Sequence, residues 1–85
     1  MASMNLHEFN YHARQERAEL VWEYGRFLCI RYKGGCSIVL YHMGEFFAEV
    51  WYSPTQNRIK LVRGFSSQAN LEPYLKMINL KTLMG

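Results

Sequence analysis

Three turn signals confine what this chain can fold into. Gly34-Gly35, Gly44-Glu45 and Pro54-Thr55-Gln56-Asn57 punctuate runs of seven or eight residues rich in apolar and aromatic side chains. Gly-Gly and Gly-X pairs between such runs are two-residue hairpin loops, and a Pro-x-x-Asn tetrapeptide is a longer turn. The stretch Ser37 to Phe65 therefore reads as strands in sequence with nothing between them but turns. With the run ahead of it, the chain is expected to form strands at Phe27–Lys33, Cys36–Met43, Phe46–Ser53 and Arg58–Phe65, in an antiparallel meander.

Two-residue loops also fix which residues face each other. Counting back from each turn sets Lys33 opposite Cys36, Arg31 opposite Ile38 and Cys29 opposite Leu40. One face then collects Leu28, Ile30, Tyr32, Val39, Tyr41, Met43, Phe46, Ala48, Val50, Tyr52, Ile59, Leu61 and Phe65, with Arg63 as its awkward member. The other face reads in rows: Arg31–Ile38–Trp51–Lys60, then Cys29–Leu40–Glu49–Val62, then Phe27–His42–Phe47–Gly64. Cys29 and Cys36 stand too far apart along this ladder for a disulfide.

On either side lie helical patterns. Asn5 with Glu8 has capping-box spacing, and Gly25 supplies a stop, so one helix is expected over 5–24. Its main apolar stripe is Leu6, Phe9, Ala13, Leu20 and Tyr24; Tyr11, Ala18 and Trp22 make a second stripe almost opposite. After the strands, Asn70 (or Ser67) caps a closing helix with Pro73 in its first turn. Leu71, Tyr74, Leu75 and Ile78 would be its buried face, packed on the first sheet face. The fold class is α+β in one domain spanning 5–80. Met1-Ala2-Ser3 ahead of Met4 reads as an added leader, and 81–85 as a frayed end.

The second sheet face is the informative one. Its middle is apolar and aromatic, its rim cationic, and Glu49 is its sole carboxylate. A solvated sheet face is normally more polar, so something covers it. The first reading is a structural cover, the first helix or a second subunit, with Phe27, Arg31, Leu40, Phe47, Glu49, Trp51, Lys60 and Trp22 as the interface. The alternative is single-stranded nucleic acid, with Trp51, Phe47 and Phe27 stacking on bases and Arg31, Lys33, Arg58 and Lys60 meeting phosphates. Glu49 opposes that, since it repels phosphate. A third reading pairs His42 with Glu49 for acid–base work. No nucleophile, metal-ligand set or phosphate-binding glycine loop accompanies them. His7 and His12 are off the spacing of a zinc pair.

Composition bounds the rest. Eighty-five residues with 49% apolar side chains make a small globular domain, burying only about 60–65% of its unfolded surface. Oligomerisation is a common remedy at this size. The net charge of +3 permits nucleic acid without demanding it. No apolar run approaches the roughly 20 residues of a membrane helix, and the polar start carries no signal-peptide pattern. A cytoplasmic location follows as the default.

Three segments carry a resemblance: LVWEYGRFL (Leu20–Leu28), FFAEVWYSPTQNRIKLVRGFSS (Phe46–Ser67) and LEPYL (Leu71–Leu75). They resemble a group of short uncharacterised bacterial proteins of the Bacteroidetes type. The shared pattern is a Trp-Glu near the first helix end, an aromatic-x-Glu-Val-aromatic-Tyr strand, an Asn-x-Ile turn exit and a short closing helix. The resemblance implies a fold and points at Trp22, Glu23, Glu49, Trp51 and Tyr52. The order of four strands then a helix is also similar to the repeat unit of the Whirly and Pur-type single-strand binders. The expectation is a non-enzymatic homodimeric interaction module without cofactor or metal.

Overall fold

The computed structural model describes residues 4–75. The expected leader, Ile78 of the closing helix and the end at 81–85 lie outside the described residues. The architecture is α+β: helices α1 (Leu6–Tyr11) and α2 (Arg14–Tyr24), strands β1 (Arg26–Lys33), β2 (Cys36–His42), β3 (Phe47–Ser53) and β4 (Arg58–Phe65), and a closing 3-10 helix (Gln68–Tyr74). The strands pair in sequence order, β1-β2-β3-β4, all antiparallel.

The turns behave as the sequence dictates. Gly34 and Gly35 sit at φ +57° and +77°, the doubly left-handed backbone of a type I′ hairpin loop. Gly44, at φ +102°, opens the second turn, which Met43 closes by donating its N–H to the Phe46 carbonyl. In the third, Ser53 Oγ accepts from the Gln56 N–H and Asn57 takes a left-handed φ of 51°.

The single helix expected over 5–24 is broken at His12 and Ala13, both in extended backbone. Asn5 and Glu8 form the expected capping box, and at Ala13, whose methyl accepts nothing, the return half alone forms, the Glu16 carboxylate accepting from the Ala13 N–H at 3.1 Å. A second start signal inside a helical pattern ends the first helix there. The break re-aims the side chains: Phe9, Ala18 and Val21 are buried while Tyr11, Ala13 and Tyr24 are exposed. Gly25 does end α2, though at an ordinary φ of −82°. Its requirement is room, since a Cβ would lie 2.6 Å from the Val21 carbonyl oxygen and 2.9 Å from Met43 Sδ.

Two β-bulges correct the expected faces. β1 and β2 keep the expected pairing from Lys33↔Cys36 to Cys29↔Leu40, then Leu28 is passed over and Phe27 pairs with Tyr41. Tyr52 pairs with Ile59 as expected, then Lys60 is passed over and Trp51 pairs with Leu61. One extra residue exchanges the two faces for everything beyond it. Val62 and Gly64 therefore join Val50 and Ala48, whereas Leu61, Arg63 and Phe65 join Trp51, Glu49 and Phe47. Arg63 is no longer awkward, and it stands opposite Glu49. The carbonyl of the bulged Lys60 accepts from Arg14 Nη1 at 3.1 Å, which ties α2 to the bulge.

The closing helix takes the face opposite to the one expected, and the first helix, one of the two covers expected for the second face, packs on the first. Phe9, Ala18 and Val21 of the amino-terminal helices pack with Met43, Phe46, Ala48, Val50 and Val62, on the first face. α1 crosses directly over Gly64, whose absent side chain leaves space for Leu6 and Phe9. Full burial of Phe9 contributes about 2–3 kcal/mol. The closing helix lies on the second face instead, where Leu71 and Tyr74 pack with Leu40 and Phe65. Its cap is Ser67, whose Oγ accepts from the Ala69 N–H. With three residues per turn, Leu71 and Tyr74 share one ridge and Leu75 falls off it, 41% exposed.

Candidate functional site

Glu49 lies at the centre of the second face, on an inner strand, with no solvent exposure. A buried carboxylate needs charge partners and hydrogen-bond donors. The sheet supplies Arg31 from β1 and Arg63 from β4, one on each side. Arg31 Nη2 donates to Oε2 at 3.2 Å and Arg63 Nε donates to Oε1 at 2.8 Å. Trp51, two residues along the same strand, donates its indole N–H to Oε1 at 3.1 Å. Tyr74 brings its hydroxyl down from the closing helix onto Oε2 at 2.5 Å. The Arg31 guanidinium also sits over both aromatic rings, 5.8 Å from that of Trp51 and 5.0 Å from that of Tyr74.

Burial pushes the Glu49 carboxyl up, but donors Tyr74, Arg63 and Trp51, with the charge of Arg63, outweigh it and hold it below its ordinary value. The Tyr74 hydroxyl is driven well above the ordinary phenol range by burial and by its bond to the carboxylate. Burial likewise raises the Cys29 thiol, with Arg31 opposing. A carboxylate of lowered basicity with two donors on each oxygen has no capacity left for accepting a substrate proton. Chemically this is a clamp, joining three strands and the closing helix through one residue.

The residues singled out from the sequence separate. Arg31, Leu40, Phe47, Glu49 and Trp51 do share the second face, but beneath the closing helix. Leu40 is buried, and Phe47 packs edge-on against His42 and stacks with Phe65, at centroid distances of 5.4 and 5.9 Å. Phe27 has moved to the first face, 6.3 Å from the Tyr41 ring. Lys60 is the bulged residue, and Trp22 stands on α2, 60% exposed. His42 is not a partner of Glu49; its Nδ1 accepts from the Gly44 N–H at 3.4 Å.

Sequence reasoning missed Arg63 and Tyr74, and with them Asn70, whose Oδ1 accepts from Arg63 Nη2 at 3.4 Å. A signal for the first was present. A lone arginine on one apolar face and a lone glutamate on the other, in adjacent strands, are brought together by a slip of one residue. The tyrosine carried no comparable signal, because its reach depends on which sheet face the helix covers.

The first face has an uncovered half. Its row Tyr32–Ser37–Tyr52–Ile59 runs out from under α2, with Ile30–Val39 beside it. Tyr32 is 74% exposed and Phe27 58%. Between α2 and the sheet lies an open groove of about 330 Å³ lined by Arg14, Gln15, Ala18, Glu19, Trp22 and Ile59. Among the described residues, no three His, Cys, Asp or Glu side chains are grouped to hold a metal, and no helix is long and apolar enough to cross a membrane. Both cysteines are free thiols. No family model, curated protein or solved structure matches the chain.

Proposed function

We propose that the chain is a small non-enzymatic interaction module of the cytoplasm that self-associates as a homodimer. The observation that carries this is the contrast between the two sheet faces. The second face is closed by the Glu49 clamp and the closing helix, whereas the first leaves an apolar strip beside α2, with Trp22, Tyr32 and Phe27 in water. The contact is therefore assigned to the first face, not to the second-face rows. A second copy suits this strip because its aromatic side chains are neutral, so a two-fold contact brings no like charges together at its centre. Exposed aromatic area of this kind is what protein interfaces are enriched in.

Single-stranded nucleic acid has less support. Its stacking platform would use Trp51 and its cations would include Arg31, and both are engaged with Glu49. Phe47 is packed against Phe65.

Molar mass across a concentration series, by light scattering, is the test. The expected result is twice 10.1 kDa for the parent chain and a monomer for Trp22→Glu. Trp22 is exposed enough for that change to leave the fold intact. A parent chain that stays monomeric at every concentration would sink the proposal.

A further inference from the structure

The two edges of the sheet are not alike. Sheet edges present unpaired N–H and C=O groups to any extended chain, and proteins commonly guard them. The β4 edge is guarded: Lys60 bulges out of the ladder and its carbonyl is taken by Arg14. The β1 edge is eight residues long, has a strand on one side only and carries its own bulge at Leu28, which leaves Cys29–Lys33 as its regular stretch. The two-residue loop makes Lys33 and Cys36 a hydrogen-bonded pair, so by alternation the backbone groups of Tyr32 and Ile30 point outward. At the ends of this edge stand Arg26 and Lys33, both exposed. β1 contains no acidic residue, and among the described residues neither cation has an ion-pair partner. Arg31 is already committed to Glu49.

We propose that the β1 edge is a docking site for an extended acidic peptide, which adds to the sheet as a fifth strand. The backbone of Ile30 and Tyr32 would pair with it, and carboxylates near its two ends would meet Arg26 and Lys33. These cations are seven residues apart, and with Leu28 bulged out six regular steps separate them, about 20 Å along a strand. The Leu28 bulge also sets Arg26 and Lys33 on the same face. The spacing therefore calls for a peptide of about seven residues, whose first and last side chains also share a face, with acids at both ends and β-branched residues between. A second copy of β1 fits badly: aligning Phe27 with Tyr32 sets Arg26 against Lys33, and a slip of two sets Arg26 against Arg31. The site does not rest on self-association, which uses the face rather than the edge.

A fluorescein-labelled peptide Asp-Thr-Val-Thr-Val-Thr-Asp, titrated with the full chain, tests this by anisotropy. Exchange of backbone amides is followed in the same samples, and scattering reports their mass. Expected are binding that weakens with salt, loss of about tenfold in affinity for the Arg26→Glu, Lys33→Glu double variant, and peptide-dependent protection of the Ile30 and Tyr32 amides. Tyr32→Pro, at an exposed edge position where proline is tolerated, should abolish binding while leaving the thermal melt in place. Equal affinity for the same peptide with lysine ends would overturn the proposal. So would no binding at millimolar chain, or protection of those two amides before any peptide is added. A mass that halves in Tyr32→Pro but not in Tyr32→Ala, which keeps the outward N–H, would reassign the edge to a second copy.

Discussion

Glu49 shows how a single residue can be costly and still hold a fold together. Removing its charge leaves Arg31 and Arg63 facing a neutral amide, in a site where Arg31 is mostly buried. Breaking such a buried pair costs more than forming it contributes. Glu49→Gln is expected to lower stability by about 3 kcal/mol at neutral pH, read as a shift of the urea midpoint at unchanged slope. The effect depends on pH in a defined direction. The native carboxyl titrates below its ordinary value, so the folded chain binds fewer protons than the unfolded one in the acid range. Stability from this group is therefore complete above the ordinary carboxylate range and is lost as pH falls through the native value. Urea midpoints of the parent chain should fall through that window, and those of Glu49→Gln should fall less. Indole fluorescence is a suitable probe, because the Trp51 N–H is bonded to the same carboxylate.

At the scale of elements, the bulge at Lys60 and the glycine at position 64 belong together. The bulge turns Gly64 toward the helices, and α1 lies on it so closely that a Cβ would be 2.7 Å from Leu6 Cδ1 and 2.9 Å from Phe9 Cδ2. Gly64→Ala should destabilise by about 1–3 kcal/mol through overpacking. Backbone exchange should quicken first in α1, since its six residues must lift to make room. Uniform acceleration across all four strands would contradict this placement. The same bulge explains why strand lengths and turns were legible from sequence while half of β4 faced the wrong way. Arg58 and Ile59 follow the turn, but from Leu61 onward the facing is decided by whether one residue is looped out. No alternation within RIKLVRGF distinguishes the two outcomes. What distinguishes them is elsewhere in the chain: Glu49 for Arg63, Val50 for Val62, Phe9 for Gly64.

For the whole molecule, the closing helix and the amino-terminal helices divide the sheet between them. Each face has its own small core, one around Phe46 and Val62 and the other around Leu40 and Tyr74. A domain of this size gains most of its stability from such burial and retains little reserve, so a further contact on the uncovered half of the first face would strengthen it. If the homodimer forms there, the midpoint of thermal unfolding should rise with chain concentration in the parent and not in Trp22→Glu. A melt independent of concentration in both would place the exposed aromatic strip outside any self-contact. The sequence alone established the meander, because two glycine loops of two residues and one four-residue turn permit hardly any other connection of four consecutive strands. It likewise established the Asn5 capping box and the absence of a Cys29–Cys36 bridge, each a matter of local spacing. Only tertiary structure decided where the ladder slips, which helix covers which face, and that Arg63 and Tyr74 meet on Glu49. Those choices compare the burial of one complete set of side chains with that of its mirror set, and no local pattern contains both sides of that comparison.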